Sequence, residues 1–289
     1  MDRETLLQIV QKIKDLGCYS VHIGGGEPFL DLDGLKSVVE VLRSVSVTIE
    51  YVETNSSWFR GRESALEILS VLKKKGLSTL LISMSPFHNE HIPFYKVKGV
   101  IEACKETTMN IFPWISEFYP EINAFDDRIP HPLSAYESRY GDNYLAKIPS
   151  RYWVHFGGRA LKTFAGVYGT KDYRDIVSVS KGGCSELLEV SHFHIDLYGN
   201  YIPGLCSGLA IRCQDLGEKL DHQDYPFLTT LYQGGIERFL DLVTNDYGFR
   251  PSREYLSKCD LCFEIRYYLV MQLVVNTHEL QPRGYYENS

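Results

Sequence analysis

Residues Ser20-Val21-His22-Ile23-Gly24-Gly25-Gly26-Glu27-Pro28-Phe29-Leu30 pass from a short apolar run straight into three glycines, an acid and a proline. The run from Tyr19 to Ile23 has the length and β-branching of a buried strand, and glycines at a strand end open the backbone to close approach. Upstream, Leu6, Leu7, Ile9, Val10, Ile13 and Leu16 recur at helical spacing, with Asp2 placed to cap that helix and Gly17 to stop it. Downstream, a helical pattern over 32–42 precedes a β-branched strand over 47–52. A helix over 65–72, a strand over 79–84, a helix over 97–105 and a strand over 109–115 follow. Strands alternating with helices of this length predict βα units, a parallel sheet and right-handed crossovers.

In parallel α/β sheets ligands bind beyond the carboxyl ends of the strands. The unusual polar clusters fall at such ends: 24–28, Glu53-Thr54-Asn55, Ser83 to His88 and, after a further strand expected over Tyr152–Phe156, Gly157-Gly158-Arg159. The glycine turn is not G-x-G-x-x-G and no Walker lysine follows, so it does not read as a dinucleotide or P-loop site. Its carbonyls and the Glu27 carboxylate suit a cationic group such as an α-ammonium. His88 and Glu90 face either a substrate or solvent.

Composition narrows the remaining classes. With 289 residues, 44% hydrophobic and 23% charged, the chain is long and apolar enough to fold around a sizeable core. A formal charge of −7 argues against a nucleic-acid partner. The longest strongly apolar run, Tyr267 to Val275, falls short of the ~20 residues that span a bilayer, and the N-terminal stretch is amphipathic rather than signal-like. A cytoplasmic protein with no membrane partner is expected. Seven cysteines, an odd number without an export signal, favour reduced thiols over a disulfide framework.

Residues 118–149 are rich in Pro, Tyr, Asp and Asn and read as loop with one short helix. Beyond Gly182-Gly183-Cys184 the texture changes: Leu188–Leu197 and Tyr201–Pro203 form a hairpin pattern around Gly199-Asn200, and helical stretches over 227–242 and 261–275 close the chain. Cys259-x-x-Cys262 at a helix start is the spacing that lets two thiolates share one metal. Cys184 precedes the hairpin and Cys206 follows it, and four thiolates suit either a [4Fe–4S] cluster or a structural Zn²⁺. Cys213 is an alternate ligand, Cys104 reads as core, Cys18 stands alone, and Arg266 is expected to pair with a surface acid. His192, His194 and Asp196 alternate onto one strand face, a zinc-competent set that offers a metal-dependent barrel hydrolase as a competing reading. Its position late in the chain speaks against that role.

Gly25-Gly26-Glu27-Pro28 at the end of a βα strand resembles the GGEP motif of the radical S-adenosylmethionine (SAM) superfamily, which holds the amino group of SAM. Thr54-Asn55 is similar to the family's T-N-G position, with Ser56 where glycine is usual. Ser83 resembles the strand-four position that meets the SAM ribose or carboxylate, and Arg159 is a candidate for the same carboxylate. The layout of Cys184, Cys206, Cys259 and Cys262 resembles a SPASM or twitch auxiliary-cluster extension. The resemblance implies a partial (β/α)6-type TIM barrel over 1–165 and a small α+β extension over 166–289. It also implies one-electron reductive cleavage of SAM to methionine and a 5′-deoxyadenosyl radical. The substrate would be an unidentified peptide or small molecule, with a ferredoxin or flavodoxin as reductant. The family's C-x3-C-x2-C loop, which binds the SAM-cleaving [4Fe–4S] cluster, does not occur here. The expectation is therefore a barrel that lacks its first strand, N-terminally truncated and inactive as given. A non-catalytic SAM-fold metal-binding module is the further alternative.

Overall fold

The protein is described from a computed structural model that covers residues 1–188 and 190–287. It divides into two compact units, Asp2–Tyr144 and Leu145–Ser289; the family resemblance implies a barrel running to 165.

The first unit is a run of βα repeats. Helix α1 (Arg3–Asp15) is capped by Asp2, whose carboxylate accepts the Thr5 N–H at 2.9 Å, and it buries Ile9, Val10 and Ile13. Strand β1 (Ser20–Ile23), helix α2 (Leu32–Ser44), strand β2 (Thr48–Thr54), helix α3 (Arg62–Lys75) and strand β3 (Thr79–Ser83) follow. After them come the short α4 (Pro86–Asn89), then α5 (Phe94–Thr107) and β4 (Asn110–Trp114). The four strands form one parallel sheet in the order β1-β2-β3-β4, so each crossover adds its strand beside the previous one. Side chains alternate across β2. Val52 and Thr54 are buried, while Tyr51 and Glu53 on the opposite face remain partly exposed. Val39, Leu69, Leu72, Leu80 and Ile82 are fully enclosed, each contributing about 1.5–3 kcal/mol of burial.

The segment expected to be mostly loop is helical in pieces, α6 (Tyr119–Ile122) and α7 (Leu133–Tyr140), and α8 (Tyr144–Arg151) straddles the division. Aromatic packing organises it: Phe125 and Tyr144 both lie against Tyr136, whose hydroxyl donates to buried Asn89 at 2.6 Å. That bond turns Asn89 into a structural residue.

The second unit continues with α9 (Arg159–Tyr168), α10 (Tyr173–Val179) and α11 (Ser185–Leu188). No strand forms over Tyr152–Phe156. The side chain of Phe156 packs edge-on against Phe164 and Tyr168 of α9 instead of joining a ladder. Strands β5 (Phe193–Ile195), β6 (Asn200–Pro203) and β7 (Ile211–Arg212) make a small antiparallel sheet. The hairpin is shorter than its apolar pattern, because Leu188 closes α11 rather than opening a strand. Helices α12 (Pro226–Tyr247), α13 (Lys258–Tyr267) and α14 (Arg283–Glu287) complete the unit, with a π-helical turn over Tyr268–Gln272. Its core gathers Phe227, Leu231, Phe239, Val243, Leu261, Ile265 and Leu269. No described helix is long and apolar enough to cross a membrane.

Candidate functional site

At the carboxyl end of β1, Gly25 (φ +77°) and Gly26 (φ +47°) adopt left-handed backbone that only glycine reaches cheaply. Nothing lies within 4 Å of where a Cβ would stand at either residue, so their backbone is open to a ligand. Glu27 faces inward. Its carboxylate accepts the Thr54 hydroxyl at 3.0 Å, the Asn55 N–H at 2.8 Å and the Phe29 N–H at 3.2 Å, and so caps the single 3-10 turn Pro28–Leu30. Burial pushes the Glu27 carboxyl up, against the pull of the Asn55 and Phe29 N–H groups. The Thr54 oxygen in turn accepts from Ser56 N–H at 3.0 Å and Trp58 Nε1 at 2.9 Å, which uses its one donor and both acceptors. The Trp58 ring stacks on Phe29 at 4.5 Å, closing a small knot around the two strand ends.

With Glu27 committed to this knot, the carboxylate beside the glycine turn is that of Glu53. A Cβ placed on Gly24 would stand 2.7 Å from its Oε2, and His22 Nε2 lies 3.6 Å from Oε1. In the sequence Glu53 stands out only as a neighbour of Thr54; the alternation of β2, which sends residues 53 and 54 to opposite faces, is the signal that separates their roles. Ser83 ends β3, in register with Trp114 of β4. The His88 ring is bonded to Ser85 Oγ at 2.8 Å, and Glu90 lies beside His91. Arg159 belongs to the second unit, where it opens α9 with its side chain exposed.

In the second unit Cys184, Cys206, Cys259 and Cys262 all line one cavity of about 520 Å³. Each arrives on a different local device. Cys184 follows the Gly182-Gly183 turn and donates its N–H to the Leu231 carbonyl at 2.9 Å, beside the break in α12 at Gly235 (φ +63°, ψ −156°). This approach tolerates no side chain: a Cβ on Gly183 would stand 2.2 Å from the Tyr232 carbonyl oxygen, and one on Gly235 2.1 Å from that of Gly182. Cys206 sits in the turn after β6, and Cys259 and Cys262 occupy the first turns of α13, whose Ser257 cap accepts the Asp260 N–H. Asp260 is buried between them and held bidentately by Arg253 at 2.7 and 3.0 Å. Cys213 is not among the residues lining the cavity, and Cys104 is fully buried in the first unit.

Burial raises the thiols, Cys184 to about 11 and Cys259 to about 12, with Cys206 also raised. Such thiols bind metal by releasing protons. Among the described residues, no three of these sulfurs lie within 4.8 Å of one another. Four thiolates suit either tetrahedral Zn²⁺, with bonds of about 2.3 Å, or an iron–sulfur cube. Arg266, expected at the surface, is instead 5% exposed and lines the same cavity. Its guanidinium carbon lies over the Phe263 and Tyr286 rings, 6.0 and 5.9 Å from their centroids, a burial that the polar character of the residue conceals in the sequence.

No protein-family model and no curated protein matches the chain.

The competing metal set assembles only in part: ligand atoms of His192 and His194 lie within 4.8 Å of one another, but Asp196 is engaged elsewhere. Asp196 spends its carboxylate on the hairpin turn, accepting Tyr198 N–H at 2.8 Å, Asn200 N–H at 2.9 Å and the Asn200 side-chain amide at 3.0 Å. His194 Nδ1 lies 3.1 Å from the Gly204 carbonyl oxygen, and its ring meets that of His192 edge to face. Asp196 is a turn-forming residue here, as its place before Gly199-Asn200 requires.

Proposed function

We propose that this chain belongs to the radical SAM enzymes, its first unit a partial (β/α)6-type barrel that binds SAM and its second unit holding one auxiliary [4Fe–4S] cluster. The observation that carries the reading is the convergence of Cys184, Cys206, Cys259 and Cys262 on one cavity from three separate segments. Local folding gives no reason for them to meet, and four thiolates are the ligand count of a [4Fe–4S] cube.

The residues of the first unit fit the SAM role with one change of emphasis. Glu27 braces β1 against β2, while the open backbone of Gly25 and Gly26 and the nearby Glu53 carboxylate, 3.6 Å from His22 Nε2, are the groups we assign to an α-ammonium. Thr54 and Asn55 fix the height of that rim, and Ser83 extends it along the sheet. SAM and the reduced cluster of a C-x3-C-x2-C loop, a motif that does not occur in residues 1–289, would together supply one-electron cleavage and a hydrogen-abstracting radical, chemistry that belongs to the cofactors. The chain's own part is to hold the methionine end of SAM and to keep the cysteines in a cavity enclosed by Leu161, Leu187, Leu209 and Ile236. The substrate is a peptide or small molecule, and the electrons come from a ferredoxin- or flavodoxin-type donor.

The test is iron and acid-labile sulfide in anaerobically purified protein, with the four cysteines changed to Ala in turn. One cluster's iron, lost in each variant, is the expected result. Zinc in its place, or iron that survives the substitutions, overturns the reading.

A further inference from the structure

Among the described residues, Arg266 is a buried cation with no anion against it. It lies one turn beyond Cys262 on α13, donates from Nε to the Cys262 carbonyl at 3.3 Å and from Nη1 to the Ser207 carbonyl at 2.8 Å, and has the Tyr286 hydroxyl 3.2 Å from Nη1. Every one of these partners is neutral. The other long cations on the cavity are matched: Lys258 pairs with Glu186 at 2.7 Å and Lys181 with Glu237 at 2.5 Å. Arg266 makes no ion pair among the described residues, although it is the most deeply buried of the three.

Removing a guanidinium from water is strongly unfavourable unless an anion stands against it. The ionisable groups acting on Arg266 are the Tyr285 and Tyr286 phenols and the Cys206 and Cys262 thiols. Phenols stay neutral near pH 7, whereas thiols become thiolates when they bind metal. The two backbone bonds reinforce the point, since they tie the guanidinium to Cys262 itself and to the residue after Cys206.

We propose that Arg266 is the fixed counter-cation of an anionic centre held by Cys184, Cys206, Cys259 and Cys262, and that it raises the reduction potential of that centre. The proposal rests on the cluster reading above and adds to it the role of a positioning residue. A positive charge in a low-dielectric wall favours the more negative, reduced state over the oxidised one. Lysine at this position keeps the charge but not the planar fork that spans two carbonyls.

The experiment takes the full chain reconstituted with iron and sulfide and compares Arg266→Gln with Arg266→Lys in a dithionite redox titration followed by absorbance and electron paramagnetic resonance. Dithionite supplies the electron that the centre accepts. In Arg266→Gln the reduction equilibrium is expected to fall about tenfold, about 59 mV for a one-electron couple, and Arg266→Lys is expected to keep most of the wild-type potential. An unchanged potential in Arg266→Gln at full iron content overturns the counter-cation role and leaves the cluster reading intact. An equal fall in both variants also overturns it, because hydrogen bonding rather than charge would then be responsible. Iron that is independent of the four cysteines overturns the cluster reading itself. If Arg266→Gln does not fold, Arg266→Lys decides: loss of the wild-type potential in that charged variant counts against the proposal, and its retention supports it.

Discussion

Glu27 and Thr54 are 27 positions apart and meet at 3.0 Å, the threonine hydroxyl donating to the carboxylate. The contact ties the end of β1 to the end of β2, and the Asn55 N–H adds a second donor to the same carboxylate. An acid on a glycine turn thus acts as an inward brace that leaves the turn's backbone free.

Replacing that brace tests its role. Glu27→Ala leaves the Asn55 N–H and the Thr54 hydroxyl without their acceptor, and a loss of about 2–3 kcal/mol is expected in urea unfolding. Glu27→Gln keeps one acceptor oxygen and should lose less. If Glu53 is the group that meets the ammonium, Glu53→Gln weakens SAM binding in calorimetry without a comparable loss of stability.

Ser56 occupies the position where the backbone needs left-handed geometry (φ +68°), and its buried hydroxyl has no partner among the described residues. Ser56→Gly relieves the strain and removes the orphaned hydroxyl, offset in part by the greater freedom of glycine in the unfolded chain. A net stabilisation of about 0.5–1 kcal/mol is expected. Thermal unfolding checks it, and a lower melting temperature contradicts it.

Gly183 meets carbonyl oxygen rather than a flexible side chain, so Gly183→Ala forces backbone to move. A loss of about 1–3 kcal/mol is expected, together with poorer iron retention, because Cys184 is the next residue. Gly166 in α9 has open space where its Cβ would stand, so Gly166→Ala should instead add up to about 1 kcal/mol. Calorimetry with iron analysis on both variants separates the two effects.

Glu279 is fully buried and caps α12, accepting Phe227 N–H at 3.0 Å and Leu228 N–H at 2.6 Å. Burial pushes its carboxyl up to about 7, the two N–H groups opposing. Between its ordinary value near 4.5 and about 7 the folded state binds more proton than the unfolded one. Stability therefore falls as pH rises through that window and levels off above it, by up to about 3 kcal/mol. In Glu279→Gln that part of the slope should vanish from urea midpoints measured between pH 4.5 and 8; an unchanged slope refutes the assignment.

The first unit was largely legible in the sequence because βα repeats are written locally. The helical periodicity of Leu6 to Leu16, the Asp2 cap and the β-branched run before Thr54 each specify an element without reference to distant residues. Tyr152–Phe156 shows where local reading ends: its aromatic and β-branched residues suit a strand, but a strand exists only if a partner edge is present, and Phe156 found α9 instead.

Residue types at the strand ends, the cysteine spacing within α13 and the βα order from α1 to β4 are legible in the sequence alone, since these are matters of short-range pattern. Tertiary structure decided which acid points where, because the alternation of β2 turns Thr54 toward Glu27 and Glu53 away from it. It also decided that four cysteines share a cavity and that Arg266 is buried beside them. Gly24-Gly25-Gly26-Glu27-Pro28 announced a site, but burial and pairing across 27 and more positions assigned its parts, and those depend on how the chain packs rather than on any short stretch of it.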